Sequence, residues 1–174
     1  TENGALCLVA HKGLCGADIT LKMPSVGATC NILMAACAAG GRTVIRNAAA
    51  EPHVVALCEF LTKAGAQISG KGTDTLTVYG GKSLHGCQIT VIPDMIEAGS
   101  YLIFGAVTGG RVTVRGAASL GLDSFLQVLA DGGVTVISDG EDITLCGIPY
   151  CEMHVKTAPY PEYPTDLQPQ IAPL

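Results

Sequence analysis

The sequence predicts an α/β chain made of two copies of one βαβαββ unit, and three observations carry that prediction. First, residues recur at a slowly narrowing offset: Leu14, Gly16, Ile19 and Thr20 return as Leu84, Gly86, Ile89 and Thr90, and Gly40-Gly41-Arg42, Arg46 and Ala48 return as Gly109-Gly110-Arg111, Arg115 and Ala117. Gly65 and Ile68 return as Gly133 and Val136. Second, the apolar pattern inside each copy alternates between the period of a strand and the period of a helix. Third, glycines stand where the helical patterns should stop. An offset that drifts only from 70 to 68 implies small loop deletions, so each copy is one supersecondary unit that stacks on others to complete its core.

In the first copy, Ala17, Ile19 and Leu21 alternate as a strand, and Ser25 to Ala39 carries Ile32, Leu33, Ala36 and Cys37 on one helical face. Gly40-Gly41 ends that helix, and Thr43-Val44-Ile45 is the second strand. From Glu51 to Ala64, the spacing of Val54, Val55, Leu57, Cys58 and Leu61 predicts a helix with Gly65 at its stop. Ala66 to Ser69 and Thr75 to Tyr79 form a hairpin around the glycine-rich turn at 70–74. The second copy predicts a strand at Gln88 to Ile92, helices at about Ile96 to Val107 and Leu122 to Asp131, and strands at Val112 to Val114, Val134 to Ile137 and Ile143 to Cys146. Met153 to Thr157 reads as the first strand of a third copy, whose helix should start near Leu174.

Composition narrows the function classes. No apolar run reaches the ~18 residues of a bilayer span, so no membrane partner is expected. A net charge of -5, a pI near 5.2 and scattered Lys and Arg lack the basic stripe of a nucleic-acid surface. Thr1-Glu2-Asn3-Gly4 shows neither a basic nor an apolar leader segment, and with no initiator Met the amino terminus reads as cut.

The eight cysteines read mainly as buried thiols. Cys30, Cys37 and Cys58 fall on apolar helix faces and Cys87 and Cys146 in strands, where Cys acts as a small hydrophobe. With no C-x-x-C pair and four dispersed histidines, no zinc site is expected. Cys30 also sits in the first turns of a helix, so a reactive thiol and a packed one both remain open.

Three junctions between a strand and a helix are candidates for chemistry. At Pro24-Ser25-Val26-Gly27-Ala28-Thr29 the free N–H groups of a helix start suit an anion, although Ser25 also suits a plain cap. Asp94-Met95-Ile96-Glu97 has the spacing of a capping box. In Tyr160-Pro161-Glu162-Tyr163-Pro164-Thr165-Asp166-Leu167-Gln168, Thr165 or Asp166 either caps the next helix or presents a carboxylate able to take a proton from a substrate hydroxyl.

Read in order, PSVGATCNILMAA, GGRTVIRNAAAEPHVVALCEFLTKAGAQISGKGTDTLTV, VIPDMIEAGSY and KTAPYPEYPTDLQPQ resemble consecutive blocks of the UDP-N-acetylglucosamine enolpyruvyl transferases, which open bacterial peptidoglycan synthesis in the cytoplasm. The resemblance runs from about Leu14 to Gln170. It implies an inside-out α/β barrel of two globular halves with the active site between them. Residues 1–91 would be the last unit of one half, and 92–174 the first unit of the other with the start of the next, crossing over near Ile92-Pro93. The implied reaction moves the enolpyruvyl group of phosphoenolpyruvate to the 3-hydroxyl of UDP-N-acetylglucosamine through a tetrahedral intermediate, with no cofactor and no metal. Ser25, Val26 and Gly27 match contacts to the diphosphate; Thr165 and Asp166 match contacts to the sugar; Asp166 matches the proposed general base.

Departures accompany the match. The reactive loop Cys and the Lys and Arg residues that grip phosphoenolpyruvate in that family have no counterpart here, so remaining segments of the enzyme would be needed to complete the site. Met95 stands where relatives usually have Arg in a PDRIEAG block, and Cys30 where they commonly have Glu. The related 5-enolpyruvylshikimate-3-phosphate synthases share the repeat, and a noncatalytic nucleotide-sugar-binding fragment is the other alternative; the SVGAT and PTDLQ blocks favour the UDP-sugar branch.

Overall fold

The computed structural model describes Gly4 and residues 9–174; the readings made on Thr1, Glu2, Asn3 and Cys7 lie outside them. The described residues form two compact units, the first reaching to Ala50 and taking in Val54–Ile89, the second comprising Glu51–His53 and Thr90–Leu174.

The first unit is βαβαββ. In order it contains β1 (Asp18–Thr20), α1 (Val26–Ala38), β2 (Gly41–Arg46), α2 (Pro52–Lys63), β3 (Gln67–Ser69) and β4 (Thr75–Gly80). Its sheet has the order β1-β2-β4-β3. Only the β1–β2 pair is parallel, with Ile19 opposite Ile45, because an intervening helix returns the chain to the same end of the sheet. Leu33, Ile45, Cys58, Leu61, Leu76 and Val78 fill the core. Removing such side chains from water contributes roughly 1.5–3 kcal/mol each, which is what holds this short-stranded sheet against its helices.

In the second unit come α3 (Met95–Val107), β5 (Arg111–Val114), α4 (Asp123–Asp131), β6 (Thr135–Asp139), β7 (Asp142–Cys146) and a short α5 (Gln168–Ile171). The sheet order β5-β7-β6 reproduces β2-β4-β3 of the first unit, again with the last hairpin strand in the middle. Leu102, Phe125, Leu129, Ile143 and Leu145 are its buried centre.

Two predicted strands are absent from the described residues. Gln88–Ile92 has the alternation of β1 but no ladder, and Ile89 and Val91 are exposed. Alternation specifies an extended chain; a strand also needs a partner for its N–H and C=O groups. The connector from this segment to its helix is one residue shorter than in the first copy: five residues separate Thr20 from Val26, and four separate Thr90 from Met95. The second unit is therefore αβαββ, and Cys87 lies in no strand. Met153 to Thr157 likewise forms no strand beyond a single bridge between Thr157 and Tyr163.

Duplication is plainest where the second helix of each unit ends. Gly65 N–H donates to Thr62 C=O and Ala66 N–H to Leu61 C=O; Gly133 N–H donates to Ala130 C=O and Val134 N–H to Leu129 C=O. Gly65 and Gly133 have φ of 106° and 94°, a left-handed region that a Cβ disfavours. Gly65→Ala and Gly133→Ala should each lower unfolding stability by about 1–3 kcal/mol, read from urea midpoints at unchanged m.

Candidate functional site

The sequence-predicted residues fall into two groups, one in each unit. Ser25, Val26 and Gly27 form the start of α1. Ser25 is the extended N-cap (φ -143°, ψ 118°), and its Oγ accepts from Ala28 N–H at 3.3 Å. The N–H groups of Val26 and Gly27 have no intrahelical acceptor by helix geometry. No acidic side chain lies in this first turn, so the positive end of the helix dipole is uncompensated. Gly27 is exposed, and a Cβ built on it would meet nothing within 4 Å. Packing does not require glycine there; close approach of a ligand to the backbone is a requirement that glycine does meet.

This helix start is held from beneath. Thr29 is fully buried, and its Oγ1 accepts from Ala49 N–H at 2.9 Å. Asn47, in the left-handed region at φ 57°, sends its Nδ2 to Leu21 C=O at 3.1 Å. Leu21 N–H donates to Arg46 C=O at 3.0 Å. The strand-to-helix junction is thereby tied to the loop leaving β2 at three points.

The matching junction of the second unit ends differently. Asp94 caps α3, its carboxylate accepting from Ile96 N–H at 2.7 Å and Glu97 N–H at 3.4 Å. Glu97 adds a second acidic group to the first turn. Two of the first-turn donors are already taken, and an arriving anion would face two carboxylates. Of the two duplicated junctions, only the first is suited to a phosphate.

Thr165 and Asp166 lie in a 3-10 turn, Thr165–Leu167, whose N-cap is Pro164 without a side-chain bond. Neither of them caps α5, whose N-cap is Leu167; the capping reading of the sequence is thus set aside. Both are exposed. Their base is not: Tyr163 and Leu167 are 2% and 0% exposed. The Tyr163 hydroxyl donates to Leu167 C=O at 3.1 Å, and its ring lies 6.0 Å from that of Phe125 at 48°. Leu167 seats on Gly99 of α3, where a Cβ would come within 2.7 Å of it. Buried residues at 163 and 167 clamp the turn at both ends and leave the carboxylate of Asp166 at the surface.

Within the second unit, Asp166 lines one pocket together with Pro93, Asp94, Met95 and Leu120. Met95 also packs against the core, so the departure seen in the sequence is an apolar wall beside two carboxylates. The contribution of Leu120, from the 3-10 turn Ala118–Leu120, was not legible, since three residues are too few for any apolar period.

Burial governs the thiols. Cys37 and Cys58 are buried in the first unit's core, and burial pushes both thiols up, Cys58 to about 11. Cys15 and Cys151 are exposed. Among the described residues no group of three His, Cys, Asp or Glu is arranged to hold a metal ion, and no helix is long and apolar enough to cross a membrane.

The Tyr163 phenol is pushed up by burial to about 12, above the ~10 of an exposed tyrosine. Its neutral form is the one the fold holds, so its contribution is complete below pH ~10 and is lost as pH rises towards 12. Tyr163→Phe should cost about 1–2 kcal/mol and remove that part of the alkaline decline, as measured by urea unfolding from pH 8 to 12.

Comparison with known proteins is consistent along the chain. The profile of the EPSP synthase (3-phosphoshikimate 1-carboxyvinyltransferase) family matches residues 2–174. UDP-N-acetylglucosamine 1-carboxyvinyltransferase 2 of Bacillus cereus (strain ZK / E33L) is 48% identical over 168 residues, covering 96% of this chain and 39% of that protein. UDP-N-acetylglucosamine 1-carboxyvinyltransferase 1 of Staphylococcus aureus (strain N315) is 44% identical over 174 residues, 99% of this chain and 41% of that protein. The chain thus spans about two fifths of the length of these relatives. Among solved structures, the enolpyruvyl transferase NikO from Streptomyces tendae aligns over 88% of this chain and 40% of its own, with a TM-score of 0.72 and 23% identity, a likeness of fold. EPSP synthase from Acinetobacter baumannii aligns over 78% and 32%, with a TM-score of 0.55 and 26% identity.

Proposed function

We propose, because the chain belongs to the EPSP synthase (3-phosphoshikimate 1-carboxyvinyltransferase) family, that it supplies part of the active site of an enzyme moving the enolpyruvyl group of phosphoenolpyruvate to the 3-hydroxyl of UDP-N-acetylglucosamine. What carries the UDP-sugar reading is identity of 44–48% along nearly the whole chain to transferases bearing that name. The uncompensated start of α1 supports it.

In this reading Ser25, Val26 and Gly27 receive the diphosphate, with N–H groups and the helix dipole acting together. Thr165 and Asp166 hold the sugar. The Asp166 carboxylate accepts the proton of the 3-hydroxyl as the hydroxyl oxygen bonds to C2 of phosphoenolpyruvate and the methylene carbon, C3, takes up a proton from an acid in the enzyme's other segments; loss of phosphate together with a proton from that methyl group of the tetrahedral adduct restores the double bond. A rigid turn suits this step, because a positioned base must reach the hydroxyl within a hydrogen-bond distance. Residues 1–91 and 92–174 contribute to different halves of the enzyme, which works in the cytoplasm on the path to peptidoglycan. The groups that hold phosphoenolpyruvate lie in its other segments, so these 174 residues alone do not turn over.

Two substitutions in the enzyme carrying this segment test the assignment. Asp166→Asn should keep UDP-N-acetylglucosamine binding by calorimetry while kcat for phosphate release falls by about 10²–10⁴-fold; turnover at the parent rate would remove Asp166 as the base. Gly27→Val should weaken the same binding about tenfold or more with an unchanged melting temperature, since the added side chain meets open space in the fold but stands over the helix start. Unchanged affinity would remove the diphosphate site.

A further inference from the structure

One imidazole, that of His53 at the start of α2, lines the same cavity as Asp166. The cavity measures about 370 Å³ and belongs wholly to the second unit, and its walls include Ile92, Asp94, Met95 and Leu120. Packing sets His53 there. Pro52, the residue before it, sits against Gly121, where an added Cβ would come within 3.2 Å of the proline ring and 2.7 Å of the Tyr160 ring. The segments that carry His53 and Asp166 thus converge on one glycine, next to the buried Leu120.

His53 is half-buried and, among the described residues, makes no hydrogen bond and no ion pair, with either carboxylate of the cavity included. A neutral imidazole offers one N–H donor. The ionised Asp94 and Asp166 only accept, and the other lining side chains are apolar, so His53 supplies the one side-chain donor of this cavity.

We propose that His53 is a specificity-determining residue that donates to the carbonyl of the sugar's 2-acetamido group, while Met95 and Leu120 receive the acetyl methyl. The assignment rests on Asp166 acting at the 3-hydroxyl of UDP-N-acetylglucosamine. The acetamido group is carried by the neighbouring ring carbon, so a sugar whose 3-hydroxyl reaches Asp166 brings that group to the walls around it. Other groups near the reacting hydroxyl match the cavity less well. The 4-hydroxyl, also next to C3, has no apolar part to place against Met95 and Leu120. The phosphate or carboxylate of phosphoenolpyruvate would meet two aspartates, and like charges brought together cost affinity. A carbonyl with a methyl beside it satisfies both the single donor and the apolar wall, the combination that fixes orientation in a mainly apolar site.

Calorimetric Kd values for UDP-N-acetylglucosamine and for UDP-glucose, which has a hydroxyl in place of the acetamido group, test this in the enzyme carrying this segment. The parent should prefer the N-acetyl sugar. His53→Leu should reduce that preference about 3–10-fold, the worth of one neutral hydrogen bond, at an unchanged melting temperature. His53→Gln, which keeps a donor, should restore most of it, whereas Gly27→Val should weaken both nucleotide sugars alike. A preference unaltered in His53→Leu, or lost equally in His53→Gln, would overturn the role of His53 and leave the diphosphate and base assignments standing. A parent that binds neither nucleotide sugar would remove those assignments and this one with them.

Discussion

An α-helix opens with backbone N–H groups that its own carbonyls cannot reach, and what satisfies them separates the two copies of this repeated unit. At α1 a serine hydroxyl takes one donor and no acidic group stands in the first turn. At α3 a carboxylate takes two and a second acid follows. The dipole effect at either end is worth about 0.3–1 kcal/mol on the surface, small against folding but decisive for whether an anion is drawn in or turned away. Duplication supplied two equivalent junctions, and a few side chains gave them opposite electrostatic characters.

Packing delivers these groups to the surface. Thr29, on the buried face of α1, fixes the loop after β2 through Ala49, and Leu167, seated on Gly99, fixes the turn that carries Asp166. In each case the polar group at the surface is one to four residues from a fully buried anchor. Exposure of Asp166 and Gly27 is therefore compatible with order, since the backbone beneath them is tied to the core of its own unit.

Much of this was legible in the residues. The helices showed through apolar spacing such as Val54, Cys58 and Leu61, and the left-handed glycines at 65 and 133 marked two helix ends within a residue or two. The strand expected at Gln88–Ile92 did not form because alternation in Gln-Ile-Thr-Val-Ile says nothing about a ladder partner, and a one-residue deletion in a connector is invisible to a pattern two residues long. Asp166 was legible as a junction carboxylate, yet its place as a turn residue rather than a cap depends on Tyr163 and Leu167 meeting Phe125 and Gly99, contacts between residues far apart in the chain. The pocket beside it depends on the same long-range packing, which is why Leu120 escaped notice and Met95 stood out only by contrast with relatives.

Backbone amide shifts offer the most direct test of the contrast between the two helix starts. In a titration of nitrogen-15-labelled chain with UDP, saturable changes should concentrate at Val26 and Gly27 and leave Ile96 and Glu97 unmoved. Changes centred on Ile96 and Glu97, or none at Val26 and Gly27 up to saturating nucleotide, would contradict the account.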